Sequence, residues 1–130
     1  MKTMLRLSAE RDELRVVNDQ VGRPTSSADL AKALLTTAES LLDNEALSGT
    51  YHFANAGETS WFRFAQAIVE ESGAKRGTRS PRVVPVSTEE FPTPARRPAY
   101  SVLDTSSFTA TFDVVPRPWR DALRDTLALM

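Results

Sequence analysis

The stretch from Val16 to Ala31, VVNDQVGRPTSSADLA, decides how the rest of the chain is interpreted. The β-branched run Leu14–Asn18 predicts a short strand, and residues 19–25 are rich in turn formers and predict a loop. Ser26 and Asp29 have the spacing of a capping box, in which each side chain satisfies a backbone N–H of the other residue. The stretch therefore predicts a strand that leads through a polar loop into a capped helix.

On either side of this stretch the periodicity predicts further helices. A helix is expected over Met1–Asp12, although no N-cap residue precedes its first apolar position. The helix that begins after Ser26 is expected to end near Asn44 and to bury one face. The apolar side chains of that face recur at helical spacing and are Leu30, Leu34, Ala38, Leu41 and Leu42.

The middle of the chain predicts strand, helix and strand in turn. Thr50–Ala54 is expected to form a strand, followed by a helix with Thr59 as its N-cap and Gly73 at its end. Residues 74–80 are expected to form a loop, and Arg82–Ser87 an edge strand, because its proline cannot donate to a ladder. The alternation of strands and helices indicates an α/β fold.

The last third of the chain is expected to begin as an irregular surface connection over residues 89–100, a stretch of twelve residues that holds three prolines. Asp104 is then expected to cap a short helix over Thr105–Phe112. The last helix is expected to open at Pro118, with its apolar positions in line at Trp119, Leu123, Leu127 and Met130.

Composition limits the possible functions. The chain has 130 residues, enough for one domain, and 16 Lys and Arg against 17 Asp and Glu leave a net charge of -1. This balance provides no basic surface for nucleic acid. Without cysteine, and with His52 as the one histidine, neither a disulfide framework nor a thiolate zinc site is expected. The charged N-terminus offers no long apolar run, so we expect no signal peptide or membrane span and a cytoplasmic protein.

Two motifs of nucleotide-dependent reductases are missing. The five glycines fit neither a dinucleotide-binding loop nor a phosphate-binding loop. No Tyr-x-x-x-Lys pair exists, because Tyr51 is followed at that spacing by Asn55 and Tyr100 by Asp104. We therefore expect that these residues alone cannot support hydride transfer.

The polar residues between the first strand and the second helix are candidates for a binding site. Asp19, Gln20, Arg23 and Thr25 lie where a strand leads into a helix N-terminus, a place that favours an anion. The alternative is that Asp19 and Gln20 satisfy the backbone of the loop.

Three other sets of side chains have two interpretations each. Arg96 and Arg97 suit a diphosphate, but surface arginines are often merely solvated. His52 is more typical of a strand residue than of a catalyst, because no partner carboxylate is in view. Trp61 and Trp119 are expected in the core.

Four blocks of the sequence, in order, resemble the C-terminal part of the dTDP-4-dehydrorhamnose reductase family, which belongs to the extended short-chain dehydrogenases/reductases. The blocks are NDQVGRPTSSADLA, GTYHFANAGETSWFRFAQAI, VPVSTEEFPTPARRPAYSVLDTSSF and RPWRDAL. The most specific pieces are Asn18–Gln20 with Gly22, Pro24 and Thr25, and residues 92–95 followed by Arg97, Pro98 and residues 101–105. The resemblance covers essentially the whole chain.

The resemblance implies a fold and an incomplete site. The expected fold class is α/β, the C-terminal substrate-binding portion of a Rossmann-type extended short-chain dehydrogenase/reductase, with residues 1–130 as one domain and the Rossmann part missing. The family reduces dTDP-4-dehydro-L-rhamnose to dTDP-L-rhamnose with NAD(P)H, using a Tyr-x-x-x-Lys pair that this chain lacks. The substrate-side candidates that the resemblance carries over are Gln20, Arg23, Thr25 and Arg97, with no catalytic or cofactor-binding residue.

Cofactors and partners follow from the same resemblance. Members of the family are associated with Mg²⁺ at a dimer contact held by glutamates of the first and last helices. Glu10 fits the first position but Leu129 stands at the second, so we expect no metal site. The implied partners are a dTDP-linked deoxyhexose and, for catalysis, a Rossmann-domain chain in trans.

The resemblance also suggests a truncated or split family member that is marginally stable and inactive alone. Its strand at Tyr51–Ala54 would normally join a sheet whose other strands are absent. The alternative hypotheses are a non-catalytic binding or regulatory module of the same fold, and a decayed gene fragment.

Overall fold

Strands and helices alternate along the first half of the computed structural model, which describes residues 1–76 and 80–130, with side chains for 1–73 and 80–130. The helices are α1 (Lys2–Glu10), α2 (Ser27–Asp43), α3 (Trp61–Arg76), α4 (Ser106–Phe112) and α5 (Trp119–Ala128). The described strands are β1 (Glu13–Val17), β2 (Val21–Gly22), β3 (Thr59–Ser60) and β4 (Arg82–Val86), and a 3-10 turn covers Glu45–Leu47. The expected α/β class is confirmed.

The described strands form two small sheets. β1 and β4 are parallel, with Leu14 opposite Val83 and Val16 opposite Pro85. Both strands lie within one residue of their predicted bounds. β2 and β3 pair antiparallel over two residues each, and the sequence predicted a loop in place of β2, because two residues are too few for an alternating pattern.

Two apolar clusters hold the helices together. In the larger one, α1 and α5 pack on α3, and its buried members are Leu5, Ala67, Ile68, Trp119, Leu123 and Leu127. The second joins α2 to α4 through Ala33, Phe108 and Phe112, with Tyr51 and Phe53 packed against them. The uncapped start of α1 is confirmed, since Met1 makes no side-chain cap bond.

The predicted strand at Thr50–Ala54 is not formed, and residues 51–55 carry no regular secondary structure. A strand is defined by hydrogen bonds to a neighbour, and among the described residues no backbone hydrogen bond involves Tyr51–Ala54. The β-type alternation is nevertheless present. Tyr51 and Phe53 are half-buried, whereas His52 between them is exposed.

The predicted buried face of α2 was also wrong. Leu34 is 60% exposed and Leu42 is 87% exposed, and Ala38 is exposed as well. The side that α2 buries instead carries Asp29 and Ala33. Periodicity identified an apolar face correctly, but within the described chain no element packs over it.

The helix ends differ from the predicted ones in detail. The Ser26 side chain accepts the Asp29 amide at 3.2 Å, but Asp29 does not return the bond, so only half of the capping box exists. α3 is capped by Ser60, which accepts the Arg63 amide at 3.1 Å, rather than by Thr59. α3 also runs past Gly73 to Arg76, so the predicted loop at 74–80 is wrong at its start, and residues 77–79 lie outside the described residues.

The two tryptophans have different environments. Trp119 is 8% exposed and its ring meets Phe64 edge-on, with centroids 5.7 Å apart, which confirms the core prediction. Trp61 is 56% exposed, so its assignment to the core was wrong. Met130, predicted on the apolar line of the last helix, is 60% exposed.

Candidate functional site

Arg23 lies at the centre of the polar loop and has an unsatisfied donor. Arg23 directly follows β2, and its side chain is half-buried. Nη1 donates a long hydrogen bond of 3.4 Å to the Thr105 hydroxyl. The buried Nε meets no acceptor among the described residues. A buried unsatisfied donor is costly to the fold, and this nitrogen is out of reach of an outside group, so a ligand can meet Arg23 only at its other atoms.

Two neighbouring cavities open beside Arg23. The smaller, of about 140 Å³, is lined by Gly22, Arg23, Pro24, Thr59, Ser60, Trp61, Phe64 and Ser101. The larger, of about 380 Å³, lies between the Pro24–Ser27 segment and α5, and its apolar wall includes Trp61, Phe64 and Trp119. The cavities share Pro24, Trp61 and Phe64. Together they offer an arginine and an aromatic wall.

The charge of Arg23 acts on its surroundings. The pKa of Asp104 lies below its ordinary value, first because the Ser106 amide donates to it and also because Arg23 is near. The pKa of Tyr100 is raised, chiefly by its hydrogen bond to Glu58, while Arg23 opposes the rise. Arg23 therefore sits among a carboxylate and a phenol without being neutralised by a direct ion pair in the described chain.

Gln20 and Asp19 fasten the carboxyl ends of β1 and β4 together. The Gln20 side-chain amide donates to the Thr88 hydroxyl at 3.0 Å. Asp19 accepts the Thr88 amide at 2.9 Å and its hydroxyl at 2.7 Å, and these bonds lower the pKa of Asp19. The geometry favours the interpretation in which both residues satisfy the loop.

Thr25 has its hydroxyl engaged within the loop. The hydroxyl donates to the Arg23 carbonyl at 3.2 Å and accepts the Asn55 amide at 3.3 Å. The residue also lines the larger cavity. Thr25 thus shapes the backbone that presents Arg23.

Arg97 lies on an exposed segment that is joined to β2. The Val21 amide donates to the Ala99 carbonyl at 2.8 Å, and the Ser101 amide donates to the Val21 carbonyl at 2.9 Å. These bonds fix the chain just after Arg97 beside the strand that leads to Arg23. The Arg97 side chain is exposed and makes no hydrogen bond to the described residues.

A buried polar network holds the loop on the helix behind it. The Asn55 side chain is fully buried; it accepts the Ser26 amide at 2.8 Å and donates to Asp29 at 2.8 Å. Arg117 Nε donates to both Asp29 oxygens at 2.9 Å. Burial opposes ionisation of Asp29, but the hydrogen bonds from Arg117 and Asn55 outweigh it and lower the pKa of that carboxyl. The network sets the position of residues 23–26.

Sequence reasoning missed two contributors to the site. Trp61 forms a wall of both cavities, although its place on an apolar stripe had suggested the core. Ser101 donates to the Val21 carbonyl at 3.1 Å, and its hydroxyl would lie only 3.0 Å from a Cβ added at Gly22. This close approach explains the glycine before Arg23, and the separation of 79 residues along the chain left no local signal.

The described residues contain no group of three or more His, Cys, Asp or Glu side chains that could hold a metal ion. Glu10, the candidate suggested by family resemblance, instead accepts a hydrogen bond from Arg6 at 2.8 Å. Among the same residues, no helix has the length and apolar character needed to cross a membrane.

A family model described as the RmlD substrate binding domain matches residues 1–130. The chain belongs to this family. A dTDP-4-dehydrorhamnose reductase of Aggregatibacter actinomycetemcomitans is 41% identical over an alignment of 130 positions, which covers 98% of this chain and 44% of that protein. The RmlD substrate-binding domain thus spans less than half the length of the curated relatives that it matches.

Solved structures agree with this assignment. A dTDP-4-dehydrorhamnose reductase of Clostridium acetobutylicum matches with a TM-score of 0.84 and 41% identity, over 98% of this chain and 42% of that one. The enzyme of Bacillus anthracis, crystallised in complex with NADP, matches with a TM-score of 0.76 and 35% identity, over 99% and 42%. The RmlD substrate-binding domain is therefore the C-terminal portion of such a reductase fold.

The 130 residues lack two motifs that are expected of a reductase that binds NADP. A pyrophosphate needs a glycine-rich loop at a helix N-terminus, and the five glycines of this chain have no such spacing. No tyrosine is followed by lysine at the spacing that the family resemblance requires.

Proposed function

We propose that this chain forms the substrate side of a dTDP-4-dehydrorhamnose reductase-type site and binds a dTDP-linked deoxyhexose without turning it over alone. The observation that carries the proposal is the position of Arg23, which lines the smaller cavity and whose guanidinium makes only a long hydrogen bond, to the Thr105 hydroxyl, within the described chain. A diphosphate in this cavity would bind Arg23, because guanidinium groups bind phosphate oxygens through charge-assisted hydrogen bonds. The adjoining wall of Trp61 and Phe64 offers apolar area for a ring of the ligand.

In this proposal the four candidates have different tasks. Arg23 binds the diphosphate, and Arg97 adds a second positive charge from the segment that Val21 fixes. Gln20 and Thr25 position the loop, because their polar groups already hold its two ends. The cell compartment proposed is the cytoplasm, where nucleotide sugars are made.

Saturating dTDP-L-rhamnose is expected to raise the melting temperature of the chain by about 5–10 °C, because a ligand that binds only the folded state stabilises it. Arg23→Ala should weaken the affinity by about 10-fold to 100-fold through lost charge-assisted bonds. Without ligand the same variant should melt at the wild-type temperature or above it, since it removes an unsatisfied buried donor. Differential scanning fluorimetry and titration calorimetry measure both effects.

Arg11→Ala serves as the matched control, because Arg11 is an exposed cation at the end of α1, outside both cavities. It should leave the affinity for dTDP-L-rhamnose unchanged. Equal losses of affinity in Arg23→Ala and Arg11→Ala would show a general effect of charge and contradict a specific role of Arg23. A melting temperature of the wild-type chain that does not rise at saturating dTDP-L-rhamnose would refute the proposed half-site.

The isolated chain is expected to show no detectable NADPH oxidation with dTDP-4-dehydro-L-rhamnose. Neither the residues for a pyrophosphate loop nor a Tyr-x-x-x-Lys pair are present. The measurement is the absorbance of NADPH over time, with the intact Clostridium acetobutylicum relative as the positive control. Clear turnover by this chain would contradict the proposal of an incomplete site.

A further inference from the structure

The side chain of Arg117 ties the start of α5 to the start of α2. Its Nε donates to both oxygens of Asp29 at 2.9 Å, and Asp29 lies in the first turn of α2. Its Nη1 donates to Asp125 of α5. A guanidinium can serve two carboxylates at once, because its N–H groups point in fixed and different directions. One side chain therefore joins two helices.

The backbone of Arg117 makes the same connection. Its carbonyl accepts the Ala56 amide at 2.8 Å and the Asn55 side-chain amide at 3.3 Å. Asn55 in turn accepts the Ser26 amide at 2.8 Å and donates to Asp29 at 2.8 Å. The route from Arg117 to Ser26 thus passes through the buried side chains of Asn55 and Asp29. Because buried hydrogen bonds are costly to break, a displacement of Arg117 is transmitted to Ser26.

The two ends of this connection are walls of the larger cavity. The Pro24–Ser27 segment forms one wall, and α5 forms another through Trp119, Ala122, Leu123 and Thr126. Arg117 itself lines neither this cavity nor the smaller one beside Arg23. The contacts of Arg117 therefore set the distance between the two walls without occupying the space between them.

We infer that Arg117 is a positioning residue for the ligand, which holds the Pro24–Ser27 segment at a fixed distance from α5 and keeps the larger cavity in its binding form. The inference rests on the proposed function, because the ligand concerned is the dTDP-linked deoxyhexose. A site that is held in its binding form before the ligand arrives loses no affinity to the ordering of a loop. Arg117 thus raises the affinity without touching the ligand.

Arg117→Lys tests the inference, because it keeps the positive charge but replaces the guanidinium fork by a single nitrogen. It should weaken the affinity for dTDP-L-rhamnose by about 5-fold to 20-fold, because the segment is then held less firmly. Titration calorimetry measures the affinity, at a temperature at which circular dichroism shows the variant to be folded.

Arg124→Lys is the matched control. Arg124 lies on α5 and also contacts two carboxylates, those of Glu71 at 2.9 Å and Asp121 at 3.2 Å. None of these three residues lines either cavity. The affinity of Arg124→Lys for dTDP-L-rhamnose should therefore equal that of the wild-type chain.

Hydrogen exchange of the free chain, followed by NMR, separates positioning from general stability. In Arg117→Lys the Ser26 amide should exchange at least about 10-fold faster than in the wild type, relative to the amide of Ile68. Ile68 is fully buried in α3 and reports global unfolding. A purely structural role of Arg117 would accelerate both amides by the same factor. In Arg124→Lys the ratio of the two rates should keep its wild-type value.

Asp125→Ala is a milder variant that decides the question if Arg117→Lys does not fold. Asp125 is 66% exposed, and its removal leaves the buried bonds of Asn55 and Asp29 in place. It should weaken the affinity by about 2-fold to 3-fold, because one carboxylate instead of two then holds Arg117. Wild-type affinity in the folded variants of Arg117 and Asp125, or equal acceleration of the Ser26 and Ile68 amides, would overturn the inference.

A failure of the proposed function would give a different result. In that case the wild-type chain would not bind dTDP-L-rhamnose, while Arg117→Lys or Asp125→Ala would still accelerate exchange of the Ser26 amide relative to that of Ile68. This outcome would refute the half-site and leave the positioning of the Pro24–Ser27 segment by Arg117 intact.

Discussion

Replacing Asn55 by Ala is expected to lower the free energy of unfolding by about 3–5 kcal/mol, because a fully buried hub of hydrogen bonds is lost. The side chain accepts the Ser26 amide and donates to Asp29 and to the Arg117 carbonyl. Its removal leaves a buried amide without an acceptor and one carboxylate oxygen with fewer donors. Urea unfolding followed by far-ultraviolet circular dichroism measures the change.

Asn55→Asp is the matched variant, because it keeps the size and the acceptor for the Ser26 amide. It replaces the donor to Asp29 by a second carboxylate, so it should destabilise the chain by at least as much at neutral pH. The destabilisation of Asn55→Asp beyond that of Asn55→Ala should shrink as the pH falls, because protonation of one of the two carboxylates removes their repulsion. The destabilisation of Asn55→Ala should not shrink in this way. A change below about 1 kcal/mol in both variants would contradict the role of the hub.

Sequence patterns located most helices and both strands of the parallel sheet, because these depend on local periodicity. Asn55 was missed because Asn55 and the two residues that follow it, Ala56 and Gly57, are typical of a turn. The partners that bury it lie 26 to 62 residues away. No local signal distinguishes a turn asparagine from such a hub.

The α2 leucines show a different limit. Periodicity recognised that Leu30 and Leu34 share an apolar face, but it cannot state which element covers that face. In the described chain none does, and the helix buries Asp29 and Ala33 instead. The segment Tyr51–Ala54 failed as a strand for the same reason, since a strand needs a neighbour.

The candidate site was predictable in part. The loop between β1 and α2 indicated Arg23, and the structure gives its guanidinium a buried nitrogen without a partner. The sequence could not show that the Gln20 amide and the Thr25 hydroxyl are used within the fold, because their partners include the distant Thr88 and Asn55. Which polar groups remain free depends on tertiary contacts.

Trp119→Ala is the second large expected loss, about 3–5 kcal/mol in the free energy of unfolding, because a buried indole leaves a cavity. Trp119 is 8% exposed and belongs to the cluster that includes Leu5 and Ile68. Its amide donates to the Ala56 carbonyl at 2.9 Å, which seats the ring against Gly57. Thermal and urea unfolding should both report the loss.

Trp61→Ala provides an internal control of the same chemistry. Trp61 is 56% exposed and its ring has one close aromatic neighbour, Phe64, at 6.5 Å. Its replacement should lower the free energy of unfolding by about 1 kcal/mol or less, because little of the ring is removed from water. The same variant should weaken binding of dTDP-L-rhamnose, since Trp61 walls both cavities. If the two tryptophan variants lost equal stability, the separation between a core indole and a binding-site indole would be wrong.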